Sequence, residues 1–580
     1  MITETLVRDV RFGLRSLRRD VGATILIIAI AGLGIGASTT VFSICRALLL
    51  RPLPVQAPEH LVWIANGSSE NLSAQSVQVN NLLNMREASR SYVDVAGYYQ
   101  FYAPGDVRMT GLGEPERLTG VPVTQSFFPL LGVRPLAGRF FNTEESRWGA
   151  TKTAVLGYDF WQRRFNGDFG IVGRSIILDD NPVSVIGILP ESFDFESTFT
   201  PGRRADVFFP FPLSAETNRR GNTLALVARL RDGVTLTAAQ SEATQIASRM
   251  PRVGADGRRL NGFAPRLETL RERVSGRVEP ALVALSGAVG FLLLLVCATL
   301  SNLLLVRAST RRREMAVRAA LGAPRYRLVR QMLVESVVLA GGGAVLGISL
   351  AVGGTFVVSR IQGTTVPLLN DVGVDASVLA FTVLVAAATA LGFGLLPALH
   401  ASSFNLPTAL AEGSRGSTDG RGGRLRRMVA VAQIALVCVL LTGAGLLTRS
   451  LSRVLDVDPG FTGDNVIAVR VDPERTLSRA QQAAFFDAVV REVGALPGVQ
   501  TVGLTDALPL GDNFGWRRWD ATPQDAADGS EAPQALVRMV DEGYLGAMKI
   551  PLRAGRPFTA ADGASSEPVI IINERLARTL

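Results

Sequence analysis

Five long apolar runs divide this 580-residue chain, and two polar stretches with the mixed composition of soluble domains lie between and after them. Residues 21–50, 281–306, 328–358, 377–399 and 428–448 each exceed the length of a buried core helix and carry few charges, the pattern of membrane-spanning helices. From 51 to 280 the character changes. Strand-like runs (His60–Ala65, Tyr92–Tyr99, Leu118–Val123, Thr153–Leu156, Asn222–Leu230) alternate with helical ones (Asn81–Ser89, Ser126–Leu131, Tyr158–Phe165, Leu236–Arg249). That alternation predicts an α/β or α+β module. Val172–Leu178 and Pro182–Leu189 predict a hairpin turned at Asp179–Asn181. Residues 449–580 form the second polar stretch. Ahead of the first span, residues 1–20 place Leu6, Val10, Leu14 and Leu17 on one helical face and Arg8, Arg11, Arg15 and Arg18 on the other, the signature of an interfacial helix.

Charge orients this arrangement. Arg307–Arg330 holds eight arginines against one acid, Glu314. A short loop so rich in arginine stays on the cytoplasmic side. Segments 307–327 and 400–427 are both basic, whereas loop 359–376 carries one arginine and two aspartates, which places it and the polar domains across the membrane. The basic stretch is also patterned. Met315, Val317, Ala320 and Leu321 offer an apolar edge, Gly322 suits a helix end and Pro324 a helix start. A hinged pair of short helices at the inner face would dock a cytoplasmic partner, with Arg311, Arg312, Arg313, Glu314, Met315, Arg318, Leu321, Gly322 and Arg325 as its contact residues. The plainer reading is a positive-inside anchor.

Composition narrows the chemistry. Lys+Arg number 60 and Asp+Glu 51, but the excess clusters beside apolar spans, which speaks against nucleic-acid binding. Cys45, Cys297 and Cys438 all sit in apolar runs, so no disulfide framework or CxxC metal site is expected. His60 and His400 are the only histidines and fall on opposite sides of the proposed membrane. Neither Lys152 nor Lys549 follows a glycine, so no P-loop is present and no catalytic constellation emerges. Asp179 and Asp180 belong to a turn. Tyr158, Phe160, Trp161 and Phe165 read as core. Within the spans, Gly32 and Gly36 form a GxxxG suited to close helix packing, Asn302 and Gln433 suit interhelical hydrogen bonds, and Glu335 suits an interhelix contact or an arginine pair near the interface.

The chain also repeats. Phe127–Phe141 (FFPLLGVRPLAGRFF) recurs as Tyr544–Phe558 (YLGAMKIPLRAGRPF), 417 residues later. The first span and polar domain are thus expected twice. The second copy ends at Leu580, short of the counterpart of Gly221–Arg249, so the sequence is expected to be truncated, with three more spans completing the symmetry.

These residues carry a family resemblance. LGIGASTTVFS and RALLLRPLP (within Leu33–Pro54) resemble the first span of MacB-like permeases. Leu156–Phe193 is similar to their periplasmic core domain, and Thr310–Ser336 to the cytoplasmic signature of FtsX-like permease domains. The duplicated order resembles the acidobacterial duplicated orphan permeases. The resemblance implies an integral membrane α-helical bundle of FtsX-like type plus α/β periplasmic core domains of MacB-like type, tandemly duplicated, in the bacterial inner membrane. It implies the permease subunit of a MacB-type (type VII) ABC transporter with no cofactor of its own. A separate cytoplasmic ATPase would bind ATP, and Thr310–Arg330 would be the coupling element. Further implied partners are a periplasmic adaptor or substrate protein, and an intramolecular pseudo-dimer in place of a homodimer. An ATP-independent scaffold or sensor linking periplasmic ligands to a cytoplasmic partner is the alternative.

Overall fold

In the computed structural model, the residues described are 15, 20–46, 53, 55–67, 76–200, 204–250, 263–276, 279–310, 325–360, 375–402, 421–473, 477–509, 516–518, 534–563 and 566–579. They form two compact units. One comprises Met1–Pro54, Asp194–Arg204 and Leu270–Ser452, the other Val55–Phe193, Ala205–Thr269 and Arg453–Leu580.

The helices used below are, in chain order, α1 (Val21–Cys45), α2 (Val79–Ala88), α3 (Phe127–Leu130), α4 (Tyr158–Phe165), α5 (Leu236–Arg249), α6 (Glu279–Thr310), α7 (Arg325–Arg360), α8 (Ala376–Ser402), α9 (Arg421–Leu455), α10 (Arg479–Gly494) and α11 (Tyr544–Ala547). The expected spans fall on α1 and α6–α9. Among the described residues, four stretches are long and apolar enough to cross a membrane: Val21–Cys45, Glu279–Leu304, Leu333–Val357 and Arg427–Leu455. The described apolar part of α8 is shorter, Ala376–Gly392. A helix is the form that lets such sequences satisfy their own backbone polar groups in lipid. Asp20 caps α1, its carboxylate accepting from the Ala23 amide at 3.4 Å. One core joins four of these helices. Ile27, Ala31 and Ile35 of α1 pack with Val296 and Leu300 of α6, Leu339 and Ala340 of α7, and Val385, Ala386 and Ala390 of α8.

The other unit is built on a mixed sheet. Its strands, in chain order, are β1 (Leu61–Asn66), β2 (Tyr92–Tyr99), β3 (Val107–Thr110), β4 (Glu116–Leu118), β5 (Gly120–Val123), β6 (Ala137–Gly138), β7 (Thr153–Leu156), β8 (Ser175–Leu178), β9 (Asn181–Ile188), β10 (Val207–Pro210), β11 (Leu224–Leu230) and β12 (Pro265–Thr269). They lie in the order β12-β1-β11-β2-β5-β10-β7-β9-β8-β3-β4, with β6 on β9. Two cores cover it. Alternate apolar residues of β1, β2 and β11 bury Val62, Ile64, Leu224 and Leu226 against α2 and α5. Around β7–β9, α4 supplies Phe160 and Trp161; the Trp161 indole donates to the Asp168 carbonyl at 2.9 Å. These aromatics are core, as their helical spacing predicts.

Two local details differ from the sequence expectation. The run 118–123 is two strands, broken at Thr119, because the Asp206 carboxylate takes the Thr119 amide at 2.9 Å and removes it from the ladder. Strands β3, β6, β10 and β12 were not foreseen. The β8–β9 hairpin turns at Asp179 and Asp180, both at positive φ (47° and 62°), a two-residue turn that suits the strand twist. Loop Ser89–Ser91 is tied down by Glu242 on α5, which accepts from Ser89 Oγ at 2.7 Å and from the amides of Arg90 and Ser91 at 2.8 and 2.9 Å. Burial opposes ionisation of Glu242, but these bonds outweigh it and hold the carboxyl down at about 2.

The two repeated turns have matching geometry. After α3, the Val133 amide donates to the Phe128 carbonyl at 3.1 Å; after α11, Ile550 donates to Leu545 at 2.9 Å. Gly132 and Lys549 occupy the same left-handed position (φ 73° and 52°). Arg139 then forks onto Glu145 at 2.9 and 2.6 Å, and Arg556 forks onto Asp562 at 2.7 Å for both bonds. Upstream, the Gly97 amide donates to Thr124 Oγ1 at 3.0 Å and the Leu504 amide to Asp541 Oδ1 at 2.9 Å. Tyr98 pairs with Val123, and Thr505 with Val540.

Candidate functional site in the membrane helices

Three glycines of α1 set how closely its neighbours approach. A Cβ on Gly32 would lie 2.7 Å from Leu346 Cδ2 of α7, and one on Gly36 would lie 3.1 Å from the Gly347 carbonyl oxygen and 3.2 Å from its Cα. The seam is reciprocal: a Cβ on Gly343 would meet Ala31 Cβ at 2.6 Å, and one on Gly347 the Gly36 nitrogen at 2.9 Å. Two GxxxG faces, Gly32/Gly36 and Gly343/Gly347, therefore bring the backbones of α1 and α7 into contact. Gly34 does different work. Its Cβ would stand 2.9 Å from Val296 Cγ2, so it clears α6. The sequence showed the GxxxG spacing; Gly34's partner depends on which face meets α6 and had no one-dimensional signal.

Polar groups mark the contact of α1 with α8. The Thr39 and Thr382 hydroxyls are 3.0 Å apart and buried, and each also reaches a carbonyl of its own helix, Ile35 at 2.8 Å and Val378 at 2.7 Å. Two protons serve three contacts, so the pair has alternative donor arrangements. One turn on, the Phe42 and Phe381 rings stack at 3.9 Å. At the same end, Arg46 pairs with Asp375, and the Asp375 carboxylate also caps α8 by accepting from the Ser377 and Val378 amides at 3.0 Å. Neither the threonine pair nor the Arg46–Asp375 pair was singled out from sequence.

Helix α9 meets α6 through side-chain amides. Asn302 Nδ2 donates to Gln433 Oε1 at 3.1 Å, and Gln433 Nε2 donates to Thr299 Oγ1 at 3.0 Å. Glu335 lies on α7, partly buried, five residues beyond Arg330. Of the basic segment's contact residues, Arg311, Arg312, Arg313, Glu314, Met315, Arg318, Leu321 and Gly322 lie outside the described residues. Arg325 is the first residue of α7, and its side chain is also outside the description. Among the described residues, no cluster of three or more His, Cys, Asp or Glu side chains is placed to hold a metal.

The arrangement is thus a helix bundle centred on α1, with α7 locked to it by backbone contact and running directly out of the basic segment. Comparison with known proteins gives it a family. The MacB-like periplasmic core domain matches residues 23–246, and the FtsX-like permease C-terminal domain matches residues 286–406. The chain is 23% identical over 392 residues to the macrolide export ATP-binding/permease protein MacB of Campylobacter jejuni, covering 67% of this chain and 57% of that protein. It is 27% identical over 290 residues to the pyoverdine export ATP-binding/permease protein PvdT of Pseudomonas aeruginosa, covering 49% and 41%. The chain thus spans just over half of the Campylobacter protein. The crystal structure of the periplasmic region of MacB from Actinobacillus actinomycetemcomitans aligns over 39% of this chain and 94% of its own, with 12% identity and a TM-score of 0.29. With the two domains matched in this order, the chain belongs to the MacB/FtsX-like ABC permeases, inner-membrane proteins whose core domain lies on the periplasmic side.

Proposed function

We propose that the chain is the membrane subunit of a type VII transporter, carrying the motion of a separate cytoplasmic ATPase to its periplasmic domain for export or mechanotransmission. The observation that carries this reading is the α1–α7 seam. Helix α7 begins at Arg325, at the end of the basic stretch, and packs its glycines on the backbone of α1; α1 in turn leads along the chain into β1. Two helices packed this closely, with Gly36 directly against the Gly347 backbone, move together, because so tight a seam has little room to slip. A force applied at Arg311, Arg312 and Arg313 would travel along α7 and reach the core domain through α1. ATP would bind on the partner, and the permease itself would hold no cofactor.

The same proposal takes the full-length chain as an internal pseudo-dimer. The matching turns, the Arg139–Glu145 and Arg556–Asp562 forks and the paired bridges Tyr98–Val123 and Thr505–Val540 support it. A periplasmic adaptor or substrate protein would then meet two related core domains.

The test is recovery of the protein from detergent-solubilised native membranes with its bound partners. ATP hydrolysis should co-purify with the wild type and be lost when Arg311, Arg312 and Arg313 are replaced together by Glu. Cysteine-accessibility mapping must show the topology retained. Hydrolysis unaffected by the triple change would remove the coupling role, and absence of any ATPase after mild crosslinking would shift the reading to a scaffold or sensor.

A further inference from the structure

Strand β4 (Glu116–Leu118) is one outer edge of the large sheet, paired with β3 alone. Bare sheet edges invite pairing with other chains, and charge on the edge strand is one way proteins blunt them. Here the charges are divided between two tasks. Glu116 turns to α4, where Arg163 and Arg164 hold it at 3.1 and 3.7 Å. Its neighbour Arg117 pairs with Asp472, from the far side of the fifth span, and Nη1 of Arg117 also donates to the Gly105 carbonyl at 3.3 Å. Arg470 completes the group. Its Nε donates to Asp472 at 3.0 Å and its Nη1 to the Pro104 carbonyl at 2.7 Å.

Three side chains therefore alternate in sign, Arg117, Asp472, Arg470, and the turn carbonyls at Pro104 and Gly105 each cap one guanidinium. The second segment is patterned to present them. Around Arg470, Ile467 and Val469 are 89% and 75% exposed, whereas Arg470 reaches the Pro104 carbonyl and Asp472, two residues on, reaches Arg117. Burial works against the Asp472 charge, but the hydrogen bond from Arg117 and the nearby Arg470 outweigh it and hold the carboxyl below the usual range.

We propose that Arg117, Arg470 and Asp472 form a reversible clasp that docks the segment after the fifth span onto the β4 edge of the first core domain. It is a contact between the two repeated polar segments of one chain, and it stands whether or not an ATPase drives the protein. All three side chains are nearly half exposed, and exposed ion pairs are individually weak and salt-sensitive. The clasp is therefore suited to holding one arrangement and releasing it.

The experiment uses the full chain in native membranes with its three cysteines replaced by serine. Pro104→Cys and Val471→Cys are joined by a short bifunctional maleimide, and the intramolecular product is read as a gel shift. Arg117→Asp or Asp472→Arg alone should cut the yield about fivefold, as loss of a weak exposed pair would. Arg117→Lys, which keeps a positive charge beside Asp472 and Arg470, should hold the yield near the wild-type level, and high salt should lower the wild-type yield. Yield indifferent to both reversals, or an Arg117→Lys variant no better than Arg117→Asp, would overturn the clasp. The charge-keeping variant also separates loss of the clasp from misfolding.

Discussion

The two polar segments share a turn but not an environment. Around the first copy, Phe127 and Phe128 are fully buried, Phe128 packing edge-on against Phe193 and Phe208, and β7 runs through the middle of the sheet with every residue buried. Around the second, Tyr544 and Met548 are buried but Leu545 is only partly so, and Ile570 is 61% exposed at the position that answers to Thr153. The same local sequence thus makes the same backbone bonds in both places. What differs is the non-local partner: β9 and β10 flank β7, while no ladder is recorded beside 569–572 among the described residues. Local turn chemistry is self-sufficient; burial has to come from elsewhere in the fold.

Mutations at matched positions should magnify that difference. Phe128→Ala should destabilise the first core domain by about 3–5 kcal/mol, the cost of emptying a large buried site. Leu545→Ala, half-buried, should cost about 1 kcal/mol. Urea-dependent proteolysis of the membrane-embedded protein reads both, and equal losses would break the contrast.

The membrane helices repeat it on a smaller scale. Gly36 faces Gly347, whereas Gly445 on α9 has nothing within 4 Å of its Cβ position. Gly36→Val should cost about 1–3 kcal/mol through overpacking, and Gly445→Val should leave detergent thermal stability unchanged.

At the left-handed position of the turn, the copies chose different residues. A side chain there costs about 1–2 kcal/mol that glycine avoids, so Lys549→Gly should raise the midpoint of the second segment. Gly132→Ala should lower that of the first, where a Cβ would strike Gln56.

The smallest effect is one of pH. Glu242 has its carboxyl lowered from 4.5 to about 2 in the folded state. Its contribution is therefore complete above pH 4.5 and is lost as the pH falls toward 2. Acid titration of core-domain proteolysis should show this loss in the wild type, and Glu242→Gln should flatten it.

Much of this was legible in the sequence because its causes are local. Leu236–Arg249 has its Asp232–Gly233 turn and Thr235 cap written beside it, and the β8–β9 hairpin has Asp179–Asp180. The strands that escaped notice are short and depend on distant partners: β10 is only Val207–Pro210, and it is made a strand by β5 on one side and β7 on the other. In the membrane, glycine spacing announced a close contact, but not that Gly32 and Gly36 meet α7 while Gly34 clears α6. Thr39 and Thr382 lie 343 residues apart, and nothing in the intervening chain links them before the helices pack. Arg311, Arg312 and Arg313 are the reverse case, conspicuous in sequence and outside the described structure.

The central claim is that motion generated at the basic segment reaches the periplasmic domain through the α1–α7 seam. Its most direct measurement is a spin-label distance from the first core domain to a site on the second polar segment, taken in the purified complex with its ATPase partner. The account predicts that the distance distribution shifts between the nucleotide-free and ATP-bound states. A distribution that stays fixed while the same complex hydrolyses ATP would contradict it.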